Sequence, residues 1–243
     1  YKYYYTFDRG LIKAVDDISL EVYEGEIFGI VGVSGSGKTS LAHMICGLKT
    51  CTRGKILIRK NDEWIDMSIP GPRNRGRITK DIGILHQEYA IYPHRTVLQN
   101  MTGTIRESIP EELKTKKAYD ALKAVNFTDA EIDNILYKFP DQISEGERHR
   151  VAIARILIQE PIIVFFDEAT GTADPLTRME IVKSIKKSRE VLNQTYVIIS
   201  HDIGFVNNAC DRAALMRDGH IITIGDPKEV VETLKTYQEK VMT

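Results

Sequence analysis

The chain has 243 residues, 42% apolar and 28% charged, an ordinary globular balance that excludes collagen-like, low-complexity and disordered classes. With 33 basic and 34 acidic residues the net charge is −1, so the main task is not neutralising nucleic-acid phosphates and no nucleic acid is expected as a partner. Cys46, Cys51 and Cys210 are widely spaced and form no C-x-x-C pair, which fits neither a secreted disulfide framework nor a zinc site and makes a reducing cytosol the simplest compartment.

The longest uninterrupted apolar run, Ile162 to Phe166, is far short of the roughly 20 residues a membrane span needs. A start at Tyr1 rather than Met leads us to expect a segment of a longer polypeptide, although removal of a start residue or a tag would look the same. Alternating apolar stretches at Lys2 to Tyr5, Ala14 to Val22 and Lys55 to Ile58 predict a small N-terminal antiparallel sheet. Ile27 to Val31 is a short apolar run ending in glycines, and Thr39 to Leu48 follows with apolar residues at 41, 44, 45 and 48, the pattern of strand, Gly-rich turn and helix. Ile82 to Leu85, Ile162 to Phe166 and Tyr196 to Ile199 read as strands buried on both faces, hence a parallel sheet covered by helices.

Between 96 and 139 the period becomes helical, with Leu113, Ala118, Ala121, Leu122 and Val125 on one face and Ile132, Ile135, Leu136 and Phe139 on another. Ser144-x-x-Glu147 is a capping-box pattern ahead of the apolar segment Val151 to Ile158. Asp218-Gly219 marks a hairpin, and Pro227 to Val241 an amphipathic helix. The expected fold class is α/β, a mixed or mainly parallel sheet core with an N-terminal antiparallel β subdomain and an inserted helical subdomain. We expect one domain over 1–243, its core formed by 1–95 and 160–243 and its helical subdomain by 96–159.

Gly32-Val33-Ser34-Gly35-Ser36-Gly37-Lys38-Thr39 satisfies G-x-x-x-x-G-K-[ST] between a predicted strand and a predicted helix. Its glycines let backbone N–H groups wrap phosphates at a helix N-terminus, Lys38 adds a point charge, and the Thr39 hydroxyl, followed by Ser40, is placed to ligate Mg²⁺. The later strand ends in Asp167-Glu168, where Asp167 would hold Mg²⁺ through water and Glu168 would polarise an attacking water.

With these motifs in this order the chain resembles the ATP-binding domain of the ABC ATPase superfamily, a P-loop NTPase fold, over essentially its whole length. Gln87 in Leu85-His86-Gln87-Glu88 matches the Q-loop, Ile143-Ser144-Glu145-Gly146-Glu147 the signature, Gly171-Thr172-Ala173-Asp174 the D-loop and His201 the switch histidine. The resemblance implies ATP and Mg²⁺ as ligands, with Thr39, Gln87 and Asp167 at the metal and Lys38, Gln87, Glu168 and His201 in catalysis. Gly32, Ser34, Gly35, Ser36, Gly37, Lys38, Thr39 and Ser40 would cradle the phosphates. Ser144 and Gly146 would grip the γ-phosphate bound to a second ABC module in a head-to-tail sandwich. It further implies an aromatic stacked on adenine, best placed at Tyr4, with Tyr3, Tyr5 and Phe7 as rivals.

The sequence departs from the family pattern at the signature, where Leu-Ser-Gly-Gly-Gln is usual, and at Ala169, where proline is usual. Glu145 is expected to point away from the phosphate, with Arg148 or Arg150 offsetting its charge. Arg73, Arg75, Arg77 and Lys80 read as a solvated loop. The stretches His86 to Val97 and Ile143 to Ala152 resemble the ATP-binding component that activates methyl-coenzyme M reductase in methanogenic archaea, which implies a soluble two-module ATPase and a reductase activation complex as partner. The rest of the chain is also similar to peptide- or nickel-importer ATPases, which implies a membrane permease instead, and translation-associated relatives imply a slow ATP-driven clamp.

Overall fold

The computed structural model describes residues 1–6, 10–68, 81–86, 91–168 and 173–242. Runs of β-branched and aromatic residues that can be buried on both faces form its centre: β3 (Ile27–Val31), β7 (Ile163–Asp167) and β8 (Thr195–Ser200). With β6 (Ile82–His86), β9 (Arg212–Arg217) and β10 (His220–Gly225) they make a six-stranded sheet in the order β10-β9-β3-β8-β7-β6. All neighbours are parallel except the β9–β10 hairpin. Asp218 and Gly219 at its turn both have positive φ, 48° and 82°, the combination a two-residue type I′ turn requires.

Alternation along the strands divides the interior in two. Val164, Phe166, Tyr196 and Ile198 face one core, while Phe165, Val197, Ile199, Phe28 and Ile30 face the other. A one-residue slip in register would exchange the two sets, so the register is strongly specified. The first core is closed by α2 (Val97–Thr102), α3 (Glu111–Ala124), α4 (Asp129–Ile135), α5 (Glu145–Leu157) and α6 (Pro175–Leu192). The second is closed by α1 (Lys38–Ile45) with Val15 and Met67. A third, smaller cluster joins α7 (Ile203–Ala209) and α8 (Pro227–Met242) to Val31, Ala213 and Leu215. Thr96, Thr128 and Ser144 each open a helix with a capping box, so the S/T-x-x-E/Q spacing marks three of these starts.

Three expectations need correction. Among the described residues the N-terminal strands form two separate antiparallel pairs, β1 (Lys2–Thr6) with β2 (Gly10–Val15) and β4 (Leu57–Lys60) with β5 (Glu63–Asp66), rather than one sheet. No strand continues to Val22: Asp17 turns at φ 51°, and the Asp16 amide donates to the Gly219 carbonyl at 2.8 Å, binding this segment to the β9–β10 turn instead of a ladder. The helix expected to reach Leu48 ends at Ile45, because Gly47 adopts φ 71° and its amide closes onto the Met44 carbonyl at 3.0 Å.

Candidate nucleotide site

The site lies at the carboxyl ends of β3, β7 and β8, where Val31 pairs with Ser200 and Asp167 with Ile199. Crevices at such strand ends are where open α/β sheets bind ligands. After β3 the chain turns through Gly32 to Gly37 into α1. Gly37 has φ 103°, and a Cβ there would stand 1.9 Å from the Ala14 carbonyl oxygen, so no other residue fits. Gly37 is the N-cap of α1 and supplies no side-chain cap, which leaves the first-turn amides available to an anion.

Lys38 is 5% exposed, and its ammonium donates to the Gly32 carbonyl at 2.8 Å and the Val33 carbonyl at 2.9 Å. Burial lowers its pKa, against the opposing pull of Glu168 and Asp167. A charge held on its own loop's carbonyls in a dry setting has more to gain from phosphate oxygens than one already in water. Thr39 and Ser34 are exposed, and Ser36 is buried with its hydroxyl unpartnered among the described residues.

Asp167 Oδ1 is likewise buried without a hydrogen-bond partner among the described residues, while Oδ2 lies 3.9 Å from His43 Nε2. An orphaned buried carboxylate oxygen at the end of β7 and an exposed hydroxyl in the first turn of α1 are the types of oxygen donor that a P-loop Mg²⁺ site would use. Those residues therefore fit the metal. No cluster of three or more His, Cys, Asp or Glu that could hold a metal by itself occurs among the described residues.

Glu168 follows with φ 51°, and its amide donates to the Ile199 carbonyl at 2.9 Å. Its Oε2 lies 2.9 Å from His201 Nδ1. The structure thus brings together Lys38 from the start of α1, Asp167 and Glu168 from the end of β7, and His201 from the end of β8. Gln87 lies outside the described residues, although the strand before it ends with His86 paired in register with Asp167. Sequence reasoning missed His43; its signal was the i, i+4 spacing from Thr39, which places both on one face of α1. Nearby Cys46 is no nucleophile, since burial first, and then Asp167, push its thiol up to about 12.

Tyr4 stands beside α1, close to Ser40, with the ammonium groups of Lys2 and Lys49 at 5.1 and 5.4 Å from its ring centroid. An adenine stacked on that ring would displace a lysine. Tyr3 is turned toward Asp16, to which its hydroxyl donates at 2.7 Å. Phe7 and the Tyr5 side chain lie outside the described residues.

At the start of α5 the Ser144 hydroxyl accepts from the Glu147 amide at 3.2 Å, and Glu147 Oε2 accepts from the Ser144 amide at 2.7 Å. The Ser144 hydroxyl therefore keeps its own proton to give, and Glu147 is consumed as the capping acid. A Cβ on Gly146 would meet the Glu180 carboxylate at 2.0 Å. Glu145 is exposed. Arg150 does not offset its charge: the guanidinium lies 3.8 Å over the Phe127 ring, donates to the Asn126 carbonyl and stands 3.6 Å from Glu131. It faces into the helical layer because 146, 149, 150 and 153 share the buried side of α5. Ala169 and the first two D-loop residues, Gly171 and Thr172, lie outside the described residues, as does the basic stretch 73–80.

Residues 15–171 match the ABC transporter family model. The chain belongs to the ABC family of ATP-binding domains. It is 52% identical over 239 residues to the ABC transporter ATP-binding protein MJ1242 of Methanocaldococcus jannaschii, covering 98% of this chain and 44% of that one. It is 37% identical over 224 residues to the glycine betaine/proline betaine transport ATP-binding protein ProV of Escherichia coli, covering 91% of this chain and 54% of ProV. The ABC domain thus spans about half the length of these relatives. The structure of the ATP-binding cassette MJ0796, a dimer in a post-hydrolysis state bound to ADP and phosphate, superposes with a TM-score of 0.75 at 28% identity, over 93% of this chain and 95% of that one. Among the described residues no helix is long and apolar enough to cross a membrane.

Proposed function

We propose that this ABC domain binds ATP with Mg²⁺ and hydrolyses it to ADP and phosphate at a site completed by a second ABC module. The observation that carries the reading is the Glu168–His201 contact of 2.9 Å beside the buried, unpartnered Asp167 oxygen and the desolvated Lys38 ammonium. Lys38 and the amides from Gly32 to Thr39 bind the phosphates. Thr39, Asp167 and Gln87 hold the metal, which when bound neutralises phosphate charge. Glu168 accepts a proton from the attacking water as the bond to the leaving ADP oxygen breaks, and His201 orients Glu168 and meets the γ-phosphate. Ser144 and Gly146 supply a hydroxyl and a bare helix N-terminus to the nucleotide of the other module. Support for the pairing comes from the dimeric form of MJ0796.

Steady-state hydrolysis tests this. Glu168→Gln keeps ATP binding and lowers turnover on the order of 10²-fold or more, whereas Lys38→Ala weakens binding itself. The rate of the isolated domain rises more than linearly with protein concentration. Equal loss of binding in both variants, or a strictly linear rate, overturns the assigned roles.

What the hydrolysis drives has two readings. Likeness to ProV over 91% of the chain supports the energy-coupling subunit of an importer, with a membrane permease as partner. Resemblance at His86 to Val97 and Ile143 to Ala152 supports a cytoplasmic ATPase that activates methyl-coenzyme M reductase. Native purification of the full-length protein separates them, because one client is an integral membrane protein and the other a soluble enzyme.

A further inference from the structure

Two aspartates cap the helices that flank the Glu168–His201 contact. Asp174 opens α6, accepting from the Leu176 amide at 2.9 Å and the Thr177 amide at 3.2 Å. Asp202, directly after His201, opens α7, accepting from the Phe205 amide at 3.0 Å while its own amide donates to the Ser200 hydroxyl at 2.9 Å. Arg178 lies one turn into α6 and reaches both places. Its Nε donates to the Ala173 carbonyl at 2.9 Å, and its Nη1 donates to the Asp202 carboxylate oxygen left over from the cap.

We propose that Arg178 is a positioning residue, fastening the start of α6 to the loop that carries His201 and so fixing His201 against Glu168. The inference rests on the hydrolysis reading above and deepens it. A planar guanidinium donates along fixed directions from Nε and Nη1, so one rigid group sets the spacing between Ala173 and Asp202. Asp202 in turn is rigid, held by the α7 cap and by Ser200, which belongs to β8 beside β3. A shift of Ala173 therefore reaches His201 through two side chains, Arg178 and Asp202, and one peptide unit. The Arg178 and Asp202 side chains are 37% and 19% exposed, a part-buried pair, so a purely stabilising role is separated from positioning by measuring melting temperature beside the kinetics.

The test is kinetic, on the whole domain: kcat and KM for ATP, with melting temperature, for the wild type, Arg178→Gln, Arg178→Lys, Asp202→Asn and the double variant Arg178→Gln with Asp202→Asn. Arg178→Gln and Asp202→Asn each lower kcat about tenfold while KM stays within about twofold, because misplacing a catalytic pair costs rate rather than ground-state binding. The double variant is no slower than the slower single, because the two groups act as one unit. Arg178→Lys keeps the charge but only one of the two bonds, so its kcat falls between wild type and Arg178→Gln. An unchanged kcat in Arg178→Gln, losses that multiply in the double variant, or kcat and KM moving together with a lowered melting temperature overturns the positioning role alone. A wild type that binds ATP but never hydrolyses it overturns the hydrolysis reading and this inference with it.

Discussion

At the strand ends the site is held by backbone that few residues other than glycine can adopt, whereas at the start of α5 it is held by side chains that already satisfy one another. Gly37 combines a left-handed φ with an approach to the Ala14 carbonyl that a Cβ would make at 1.9 Å. Gly146 is as crowded on paper, at 2.0 Å, but its neighbour is the carboxylate of Glu180, the far end of a flexible and exposed side chain. Meanwhile Lys38 and Asp167 carry buried polar atoms whose bonding a ligand would improve, while Ser144 and Glu147 close their bonds on each other. The first half is built for a ligand delivered to one chain. The second is complete as a helix start and offers only what is left over, the Ser144 proton and the amides around Gly146.

The glycines give the largest contrast. Gly37→Ala must move β2 or the phosphate loop, and is expected to cost on the order of 3 kcal/mol of stability and to abolish ATP-dependent protection. Gly146→Ala is expected to cost under about 1 kcal/mol, because Glu180 can turn into solvent. Thermal melting with and without ATP reads both. Equal costs would mean that Glu180 is held in place and that the two halves are equally rigid.

A smaller effect separates the two jobs of Ser144. Ser144→Ala removes a helix cap and should destabilise the domain by about 1 kcal/mol. Its loss of turnover should grow with protein concentration, where paired modules dominate, and vanish from ATP binding to the monomer. Ser144→Thr, which keeps cap and hydroxyl, should restore stability. A variant of Ser144 that weakens ATP binding at low concentration would place the hydroxyl in its own module's site and reverse the assignment.

The strands of the centre were legible because burial on both faces leaves unbroken apolar runs such as Ile162 to Phe166, and the start of α5 was legible because the Ser144-x-x-Glu147 capping box has a fixed spacing, whereas the same spacing at Thr96 and Thr128 went unread. What failed to show was decided at a distance. Asp16 ends its strand because the Gly219 carbonyl, two hundred residues on, takes its amide. Arg150 looked available to Glu145 by proximity in sequence, yet helical periodicity turns it toward Phe127 and Glu131. At the site, Lys38 could be named from its glycine loop and Asp167 and Glu168 from a strand end, while His201 was named only through the resemblance to the ABC family. The Arg178 bridge could not be named, since Ala173 and Asp202 meet only once α6 and α7 are packed.

The gentlest test of the α5 half uses acid. His149 is 1% exposed, and its Nδ1 lies 2.8 Å from the Glu145 carbonyl, so that nitrogen carries the proton and donates. Burial pulls the imidazole below its ordinary value of 6.5, with Arg148 adding to the effect and Glu145 and Asp174 opposing it. The folded domain therefore keeps His149 neutral while the unfolded chain takes up a proton near 6.5. Its contribution to stability is whole above that pH and is lost as pH falls toward the depressed folded value. Asp174, held below the usual carboxylate range by its bonds to Thr177, loses its own contribution only at lower pH, so the two windows separate. His149→Asn can place an amide N–H near the same carbonyl and has no proton to gain. The melting temperature of the wild type should fall between pH 7 and 5.5 more than that of His149→Asn, and the two curves should run parallel above pH 7. Parallel curves throughout would mean that the signature helix opens enough for the imidazole to titrate as it does in water, which would make α5 the mobile half of the site.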